Sequence, residues 1–259
     1  MFRIAAFSTS ALALSISAAA AATGVGLTDD RTLVMFDTET LEVTGTMDVE
    51  GVDRLLGIDL RPSNNTLVGV TDDMRIVTID TATGAATDLS TMDTPLEVTD
   101  MPVIVDFNPM ADRLRFMTGT TNHRVNVDTG EVTVDGSLNW VAEDENSEAS
   151  PMIAAAAYIN SYGTPEATAM YNIDSGLGAL LQQTAPNDGT LATIGMLNVE
   201  NPGEMMAFDV QTDAEGANMA WLVTNNTIHS VDLETGAATA AGEIAADGQI
   251  RDLAVLPAM

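Results

Sequence analysis

The sequence predicts an all-β fold, a five-bladed β-propeller, from three observations. A segment of about 45 to 50 residues recurs along the chain, and each copy contains four short runs rich in Val, Ile, Thr and Leu. The copy at the N-terminus lacks its first run, and a run of that type stands alone at the C-terminus. Repeats of this length are typical of folds in which each unit buries its apolar faces only against its neighbours.

The predicted strands follow the chain in order. The N-terminal unit supplies three strands, and the final strand at 250–257 resembles the first strand of the next unit. The complete units have their strands at 56–62, 66–71, 75–80 and 85–90; 103–109, 113–118, 123–128 and 131–135; 155–160, 167–173, 179–184 and 190–195; 205–211, 219–224, 227–232 and 237–241.

The divided unit decides between architectures. A last strand that pairs with the first three, at 23–28, 32–37 and 42–47, closes a ring and removes an open sheet edge. A two-sheet sandwich or a β-solenoid also gives short strands with regular turns, but neither requires one unit to be split between the chain ends. Six blades remain an alternative if the irregular stretch 138–152 contains strands.

Turn residues support the strand boundaries. Four aspartates end predicted strands, where their side chains can accept hydrogen bonds from backbone two residues on. Three glycines follow them in turns that favour positive φ. The residues are Asp37, Asp80, Asp128 and Asp232, with Gly84, Gly130 and Gly236.

The N-terminus predicts export. Residues 1–22 contain one charge at Arg3, an apolar stretch and an Ala-rich end, the pattern of a secretory signal peptide. A membrane anchor is the alternative, but the apolar stretch is short and no basic residues follow it. We therefore expect a single propeller domain at 23–259, exported to the periplasm or the extracellular space, without membrane insertion.

Charge and cysteine content narrow the function further. The chain has 9 basic residues, all Arg, against 38 acidic ones, for a net charge of −29. Such a surface repels nucleic acid, so we expect no nucleic-acid partner. Cysteine is absent, so stability must come from packing, hydrogen bonds or bound ions. We expect a monomer.

Several segments resemble the bacterial family called domain of unknown function 4394. They are 57–62, 106–109 with 112–115, 155–160 and 186–191. The resemblance implies an exported, propeller-like domain and supplies no activity, catalytic residue or ligand. The acidic stretch 142–148 is longer and more charged than the family pattern.

The first strand of each unit offers the best candidate site. Aligning these strands places Asp59, Asp106, Tyr158, Asp209 and Asp252 at one position, in the strand nearest the axis. Converging carboxylates suit a hard cation such as calcium, so the four aspartates are a candidate metal site. The interpretation that we favour is structural: each aspartate accepts hydrogen bonds from the next blade, with Arg61 or Arg251 as an ion-pair partner.

Other candidates are weaker. The acidic loop has calcium-type spacing at Asp144, Asn146 and Glu148 but lacks the Gly turn and the distant Glu. The two histidines, His123 and His229, fall in strands of different units, and no nucleophile motif is present. Aromatic residues are expected to fill the core, and the Arg cluster 113, 115 and 124 to pair with nearby aspartates.

The sequence leaves three hypotheses for function. The first is a non-enzymatic exported propeller that binds a protein partner or a small ligand at one face of the ring. The second is a metal-dependent hydrolase of lactonase type that uses the axial carboxylates. The third is a purely structural envelope component.

Overall fold

The computed structural model describes residues 22–98, 101–203 and 205–257. Throughout these ranges regular structure is β-strand only, in five small sheets. The strands are β1 (Thr23–Thr28), β2 (Thr32–Asp37), β3 (Val43–Asp48), β4 (Leu55–Arg61), β5 (Thr66–Thr71), β6 (Arg75–Ile79), β7 (Ala86–Thr91), β8 (Val103–Asn108), β9 (Arg113–Thr118), β10 (Thr121–Val125), β11 (Val132–Val134), β12 (Asn139–Trp140), β13 (Ile153–Tyr158), β14 (Met170–Asp174), β15 (Ala179–Ala185), β16 (Thr190–Met196), β17 (Met206–Thr212), β18 (Asn218–Thr224), β19 (Thr227–Val231), β20 (Ala238–Glu243) and β21 (Asp252–Leu256).

The five sheets form a ring, which confirms the five-bladed propeller. From the axis outward, blade 1 contains β21, β1, β2 and β3, and blade 2 contains β4 to β7. Blade 3 contains β8 to β11, blade 4 contains β13 to β16, and blade 5 contains β17 to β20. The inner strands β21, β4, β8, β13 and β17 each contact the next in a closed cycle.

The ring closes as the divided unit predicts. Strand β21 pairs antiparallel with β1, from Thr23 opposite Leu256 to Leu27 opposite Asp252. The two ends of the propeller are therefore joined by ladder hydrogen bonds within one sheet, and β1 becomes an interior strand of that sheet.

The irregular stretch 138–152 does not form a sixth blade. It contributes only β12, which pairs parallel with the outer strand β16 of blade 4. Trp140 in this strand donates its indole N–H to the carbonyl of Ala149 at 2.7 Å. The stretch therefore covers the outer edge of blade 4, a position where an unpaired strand would otherwise be exposed.

The hydrophobic core is divided into five clusters, one between each pair of adjacent blades. Between blades 1 and 2, for example, Val25 and Leu27 pack with Leu55 and Ile58, all fully buried. Burial of one such side chain stabilises the folded state by about 1.5 to 3 kcal/mol. Since every cluster is shared by two blades, no blade retains a core when its neighbour is removed.

The predicted turns are correct in three of four places. The carboxylates of Asp37, Asp80 and Asp232 each accept the backbone N–H two residues on. The prediction for Asp128 is wrong, because Asn126 accepts that hydrogen bond in blade 3 and Asp128 pairs with Arg61 instead. The two residue types share the side-chain oxygen that this turn requires.

Glycine is required in these turns for two reasons. Gly84 and Gly236 have φ of 76° and 79°. A Cβ at either position would also lie 2.5 to 2.6 Å from a backbone oxygen of the preceding blade. The turns therefore pack directly against the neighbouring sheet as well as reversing the chain.

The predicted signal peptide falls almost wholly outside the described residues, which begin at Ala22. No helix among the described residues has the length and apolar character needed to cross a bilayer.

Truncation tests the closure. A chain that ends at Arg251 lacks β21 and leaves β1 and the inner strands of blades 2 and 5 without their contacts. We expect it to lose cooperative thermal unfolding and native β-sheet circular dichroism. A control that lacks only 258–259 should unfold like the full chain, and native-like unfolding of the longer truncation would contradict closure by β21.

Candidate functional site

The two faces of the ring differ in the connections they carry. The turns that follow the inner strands, and those that join the third strand of a blade to the fourth, lie on the face that we call the upper face. Turns between second and third strands, and the connections between blades, lie on the lower face. Described cavities lie on both, and the axial aspartates lie between them.

The axial aspartates join neighbouring blades. Each inner strand pairs with another strand on one side only, so the amide groups along its other edge lack ladder partners. Asp59 of blade 2 accepts the amide of Phe107 in blade 3 at 2.6 Å. Asp106 of blade 3 likewise accepts the amide of Tyr158 in blade 4 at 2.9 Å.

The same contact recurs at two further junctions. Asp209 of blade 5 accepts the amide of Val255 in blade 1 at 2.6 Å. Asp252 of blade 1 accepts the amide of Ile58 in blade 2 at 2.7 Å. Four of the five junctions are thus bridged by a carboxylate, which is the structural role that the sequence favoured.

Three of these carboxylates also bind their own strand. The second oxygens of Asp59, Asp209 and Asp252 accept the amide of the residue that follows each of them. Asp106 is the exception, because the amide of its following residue, Phe107, already donates to Asp59. Each of these edge amides thus donates to one carboxylate, either that of its own strand or that of the neighbouring blade.

The fifth junction, between blades 4 and 5, is bridged at the upper face instead. The side-chain oxygen of Asn218 accepts the amide of Asn160 at 2.9 Å, and its nitrogen donates to the side-chain oxygen of Asn160 at 2.8 Å. The hydroxyl of Thr212 accepts the amide of Ser161 at 2.8 Å. Polar groups of the loop 159–169 thus do here what a carboxylate does elsewhere.

The register predicted from sequence is wrong for two of its five members. Each aspartate accepts the amide of the residue that follows the equivalent position in the next blade. Asp59, for example, accepts the amide of Phe107, which follows Asp106. Because Asp106 bonds to Tyr158, its equivalent in blade 4 is Ala157; because Asp209 bonds to Val255, its equivalent in blade 1 is Ala254. Asp252 lies two residues from that level, and the side chain of Tyr158 leaves its strand on the opposite side.

The predicted arginine partners are also wrong. Arg61 forms ion pairs with Asp112 and Asp128 at 2.6 and 2.7 Å. The guanidinium of Arg251 donates to backbone carbonyls, including that of Leu55 at 2.6 Å. None of the four axial aspartates is in an ion pair with an arginine of the described residues.

Three carboxylates at one level converge on the axis. One oxygen from each of Asp59, Asp106 and Asp209 lies within 4.8 Å of the other two, and all three residues are buried. A cavity of about 20 Å³ lies beside them, lined in part by Asp59 and Asp209. This is room for one water or one ion.

Burial and mutual repulsion change the acidity of this cluster. Loss of solvent raises the pKa of Asp209 to about 6 and that of Asp252 to about 7. Burial, with repulsion from the other axial carboxylates, raises the pKa of Asp59 and of Asp106 well above the usual range. These carboxyl groups therefore hold their protons to higher pH than ordinary aspartates, and a bound cation would compete with those protons.

The cluster suits a hard cation in part. Three carboxylates supply oxygen ligands, whereas calcium takes six to eight. Cation binding by Asp59, Asp106 and Asp209 stays a prediction, and Asp252 is too far along its strand to join them.

The other sequence candidates have structural contacts. In the acidic loop, Asp144 accepts the backbone amide of Thr193 at 2.7 Å and fixes the loop to β16. Arg113 donates to the carbonyls of Ala111 and Asp112, and Arg124 pairs with Asp135 at 2.6 Å.

A polar network centres on Arg115, which is 1% exposed. The sequence predicted an aspartate partner for Arg115, but not its contacts with Tyr158 and Asn187. Its guanidinium pairs with Asp135 at 2.7 Å and donates to the hydroxyl of Tyr158 at 3.2 Å and to the side-chain oxygen of Asn187 at 3.2 Å. Burial raises the pKa of Tyr158, and the nearby Arg115 only partly offsets this. The phenol is therefore a neutral hydrogen-bonding group.

This network underlies a cavity of about 400 Å³ on the upper face between blades 3 and 4. Its lining includes Asn108, Tyr158, Thr168, Asn187 and Asp188. Amide, hydroxyl and phenol groups predominate, with one carboxylate at Asp188. Such a lining suits a ligand that both donates and accepts hydrogen bonds.

A second upper-face cavity of about 250 Å³ lies between blades 4 and 5. Asn160, Tyr162 and Pro165 form one wall, and the turn 212–216 forms the other. Tyr162 is 48% exposed and is the one aromatic among the exposed large apolar side chains of the described residues. The loop 159–169 borders both cavities and, through Ser161, the axial one.

A family model described as a domain of unknown function, DUF4394, matches residues 32–254. The chain belongs to the DUF4394 family. This confirms the resemblance carried by the strand motifs. A comparison with curated proteins gives no match.

One solved structure shares the fold, and two others align with lower TM-scores. A Bacteroides thetaiotaomicron protein of unknown function aligns with a TM-score of 0.51 at 14% identity, over 92% of this chain and 65% of its own. A Bacteroides caccae protein of unknown function gives 0.45 at 9% identity, over 91% and 99%. An auxiliary nutrient binding protein from Bacteroides ovatus gives 0.46 at 13% identity, over 76% and 55%. At 14% identity, the likeness to the Bacteroides thetaiotaomicron protein concerns the fold alone.

The raised pKa values predict a pH dependence of stability. Since the folded state holds protons more tightly than the unfolded chain, the free energy of unfolding should fall as pH rises from about 4 through 7, by roughly 3 kcal/mol for Asp209, whose pKa is raised to about 6. Urea unfolding at pH 5 and pH 8 in high salt, which screens the surface charge, measures this. Asp209→Asn should flatten the dependence, and the exposed control Asp72→Asn should not. Equal slopes in wild type and Asp209→Asn would contradict the raised pKa.

Cations should replace the protons. We expect calcium to raise the melting temperature at pH 8 more than at pH 5, because fewer protons compete there. Asp106→Asn should abolish this shift, whereas Asp252→Asn, outside the cluster of three, should keep it. An equal shift in both variants would assign the effect to the acidic surface rather than to the axis.

Proposed function

We propose that this protein is an exported, non-catalytic propeller that binds a small, uncharged, hydroxyl-rich ligand on its upper face. The observation that carries the proposal is the loop 159–169, which borders all three described upper-face cavities. Loops held on a rigid scaffold are where binding residues concentrate. Export is supported by the signal-peptide pattern at 1–22.

The ligand class follows from charge and lining. The net charge of −29 opposes anions, and four of the eight side chains that line the cavity between blades 3 and 4 are neutral hydrogen-bonding groups. Tyr162 at the neighbouring cavity offers an exposed aromatic face. Aromatic faces beside amide and hydroxyl groups suit the apolar and polar sides of a sugar.

The metal-dependent hydrolase is less well supported. The three converging carboxylates favour a cation, but the cavity beside them measures only about 20 Å³. Sites for small organic molecules are about 300 to 1,000 Å³. A lactone could not reach the axial carboxylates without separation of the inner strands, so we do not propose hydrolysis.

Binding of neutral mono- and disaccharides, followed by calorimetry and thermal shift, tests the proposal. Tyr162→Ala removes the exposed ring from the upper face without touching the core, and should weaken binding about tenfold with an unchanged melting temperature. The matched control is Met152→Ala, an exposed residue that precedes β13 on the lower face. No binding by any saccharide, or equal affinity of Tyr162→Ala and wild type, would contradict the proposed site.

A further inference from the structure

The lower face has a cavity of its own between blades 4 and 5. It measures about 330 Å³ and lies on the side of the ring opposite the proposed sugar site. The connection at 198–201, the β18–β19 turn and the outer strand β20 form its walls. Its lining shares no residue with the upper-face cavities.

His229 lines this cavity and lacks hydrogen-bond partners. The residue is only 6% exposed, its Nδ1 is buried, and neither ring nitrogen bonds to any described residue. The fold does not require histidine here. The equivalent positions of blades 1 and 2 are Val34 and Val77. Each of these valines lies opposite a glycine of the neighbouring strand, whereas His229 lies opposite Leu222.

Thr224 provides a second unpaired group in the same cavity lining. Its hydroxyl is buried without a partner. The equivalent threonines of blades 1 and 2, Thr28 and Thr71, donate to a carbonyl four residues on. The β18–β19 turn places Thr227 opposite Thr224. Buried polar groups without partners are rare, and two beside one cavity point to a ligand that completes them.

The charge around the cavity selects the ligand. Between Val125 and Ile250 the sequence has 19 acidic residues and no basic one, and Glu200 lines the cavity itself. Anions are therefore repelled, and a cation is attracted both by Glu200 and by the surrounding field. A lone metal ion is not favoured, since the described residues place no cluster of three His, Asp or Glu ligands here.

We propose that this cavity binds a small organic cation, a primary aliphatic amine. Its ammonium N–H groups would donate to the imidazole of His229 and the hydroxyl of Thr224, which need partners. The carboxylate of Glu200 would balance its charge. Ala238 and Ala240 line the cavity, and their small side chains leave room for the aliphatic part.

Two matched compounds test the proposal on the intact protein. We expect 1,4-diaminobutane to bind in calorimetry at low ionic strength, and 1,4-butanediol, of the same length but uncharged, to bind at least about tenfold more weakly. Glu200→Gln and His229→Val should each weaken diamine binding about tenfold. Valine already occupies the equivalent position in two other blades, so His229→Val should fold.

The chain supplies its own control. His123 occupies the corresponding position of blade 3 and also has a buried, unpaired Nδ1, but it does not line this cavity. His123→Val should leave diamine binding unchanged. The proposal is overturned if the diamine does not bind the wild type at about 10 mM, if the diol binds as well, or if both histidine variants behave alike.

Discussion

The inner edge of each blade is the constraint on which this structure depends. A four-stranded sheet that stands beside an axis has one strand with a free row of amide and carbonyl groups, in a place too narrow for ordinary solvation. Four carboxylates meet that need, and each binds an amide of the next blade. The same contacts that satisfy the free edges therefore also hold adjacent blades together.

This solution has an electrostatic cost. Amide donors stabilise a carboxylate, yet they do not neutralise it, and three of the carboxylates converge within 4.8 Å at one level. Burial and repulsion then favour the protonated form. A compact ring opposes full ionisation of the axial carboxylates, so the occupancy of the axis by protons or a cation becomes linked to stability.

Much of the fold is encoded in local patterns. The repeat, the strand order and closure by the last strand follow from the sequence, because each blade has the same alternation of strand and turn. The register at the axis does not. In the split blade no hairpin joins β21 to its partner β1, so nothing local showed that Ala254, rather than Asp252, matches Asp59. The sequence of blade 4 is misleading for a similar reason. The position equivalent to Asp59 is occupied by Ala157, and the adjacent Tyr158 carries a polar hydroxyl that suggests the wrong alignment.

The cavities were beyond sequence reasoning for a different reason. They form where segments distant in sequence come together. Asn108 and Asn187 line one cavity, and Glu200 and His229 line another. His229 and the connection at 198–201 line the same cavity, and only the structure shows that His229 lacks hydrogen-bond partners there. The role of the loop 159–169 is likewise visible only once blades 4 and 5 are side by side.

Amide hydrogen exchange of Phe107 and Val255 tests the central claim most directly. The amide of Phe107 bonds to Asp59 and that of Val255 to Asp209. In Asp59→Ala we predict faster exchange at Phe107 with Val255 still protected, and in Asp209→Ala the reverse. Unchanged protection at both amides in both variants would show that the axial carboxylates do not hold the inner edges of the ring.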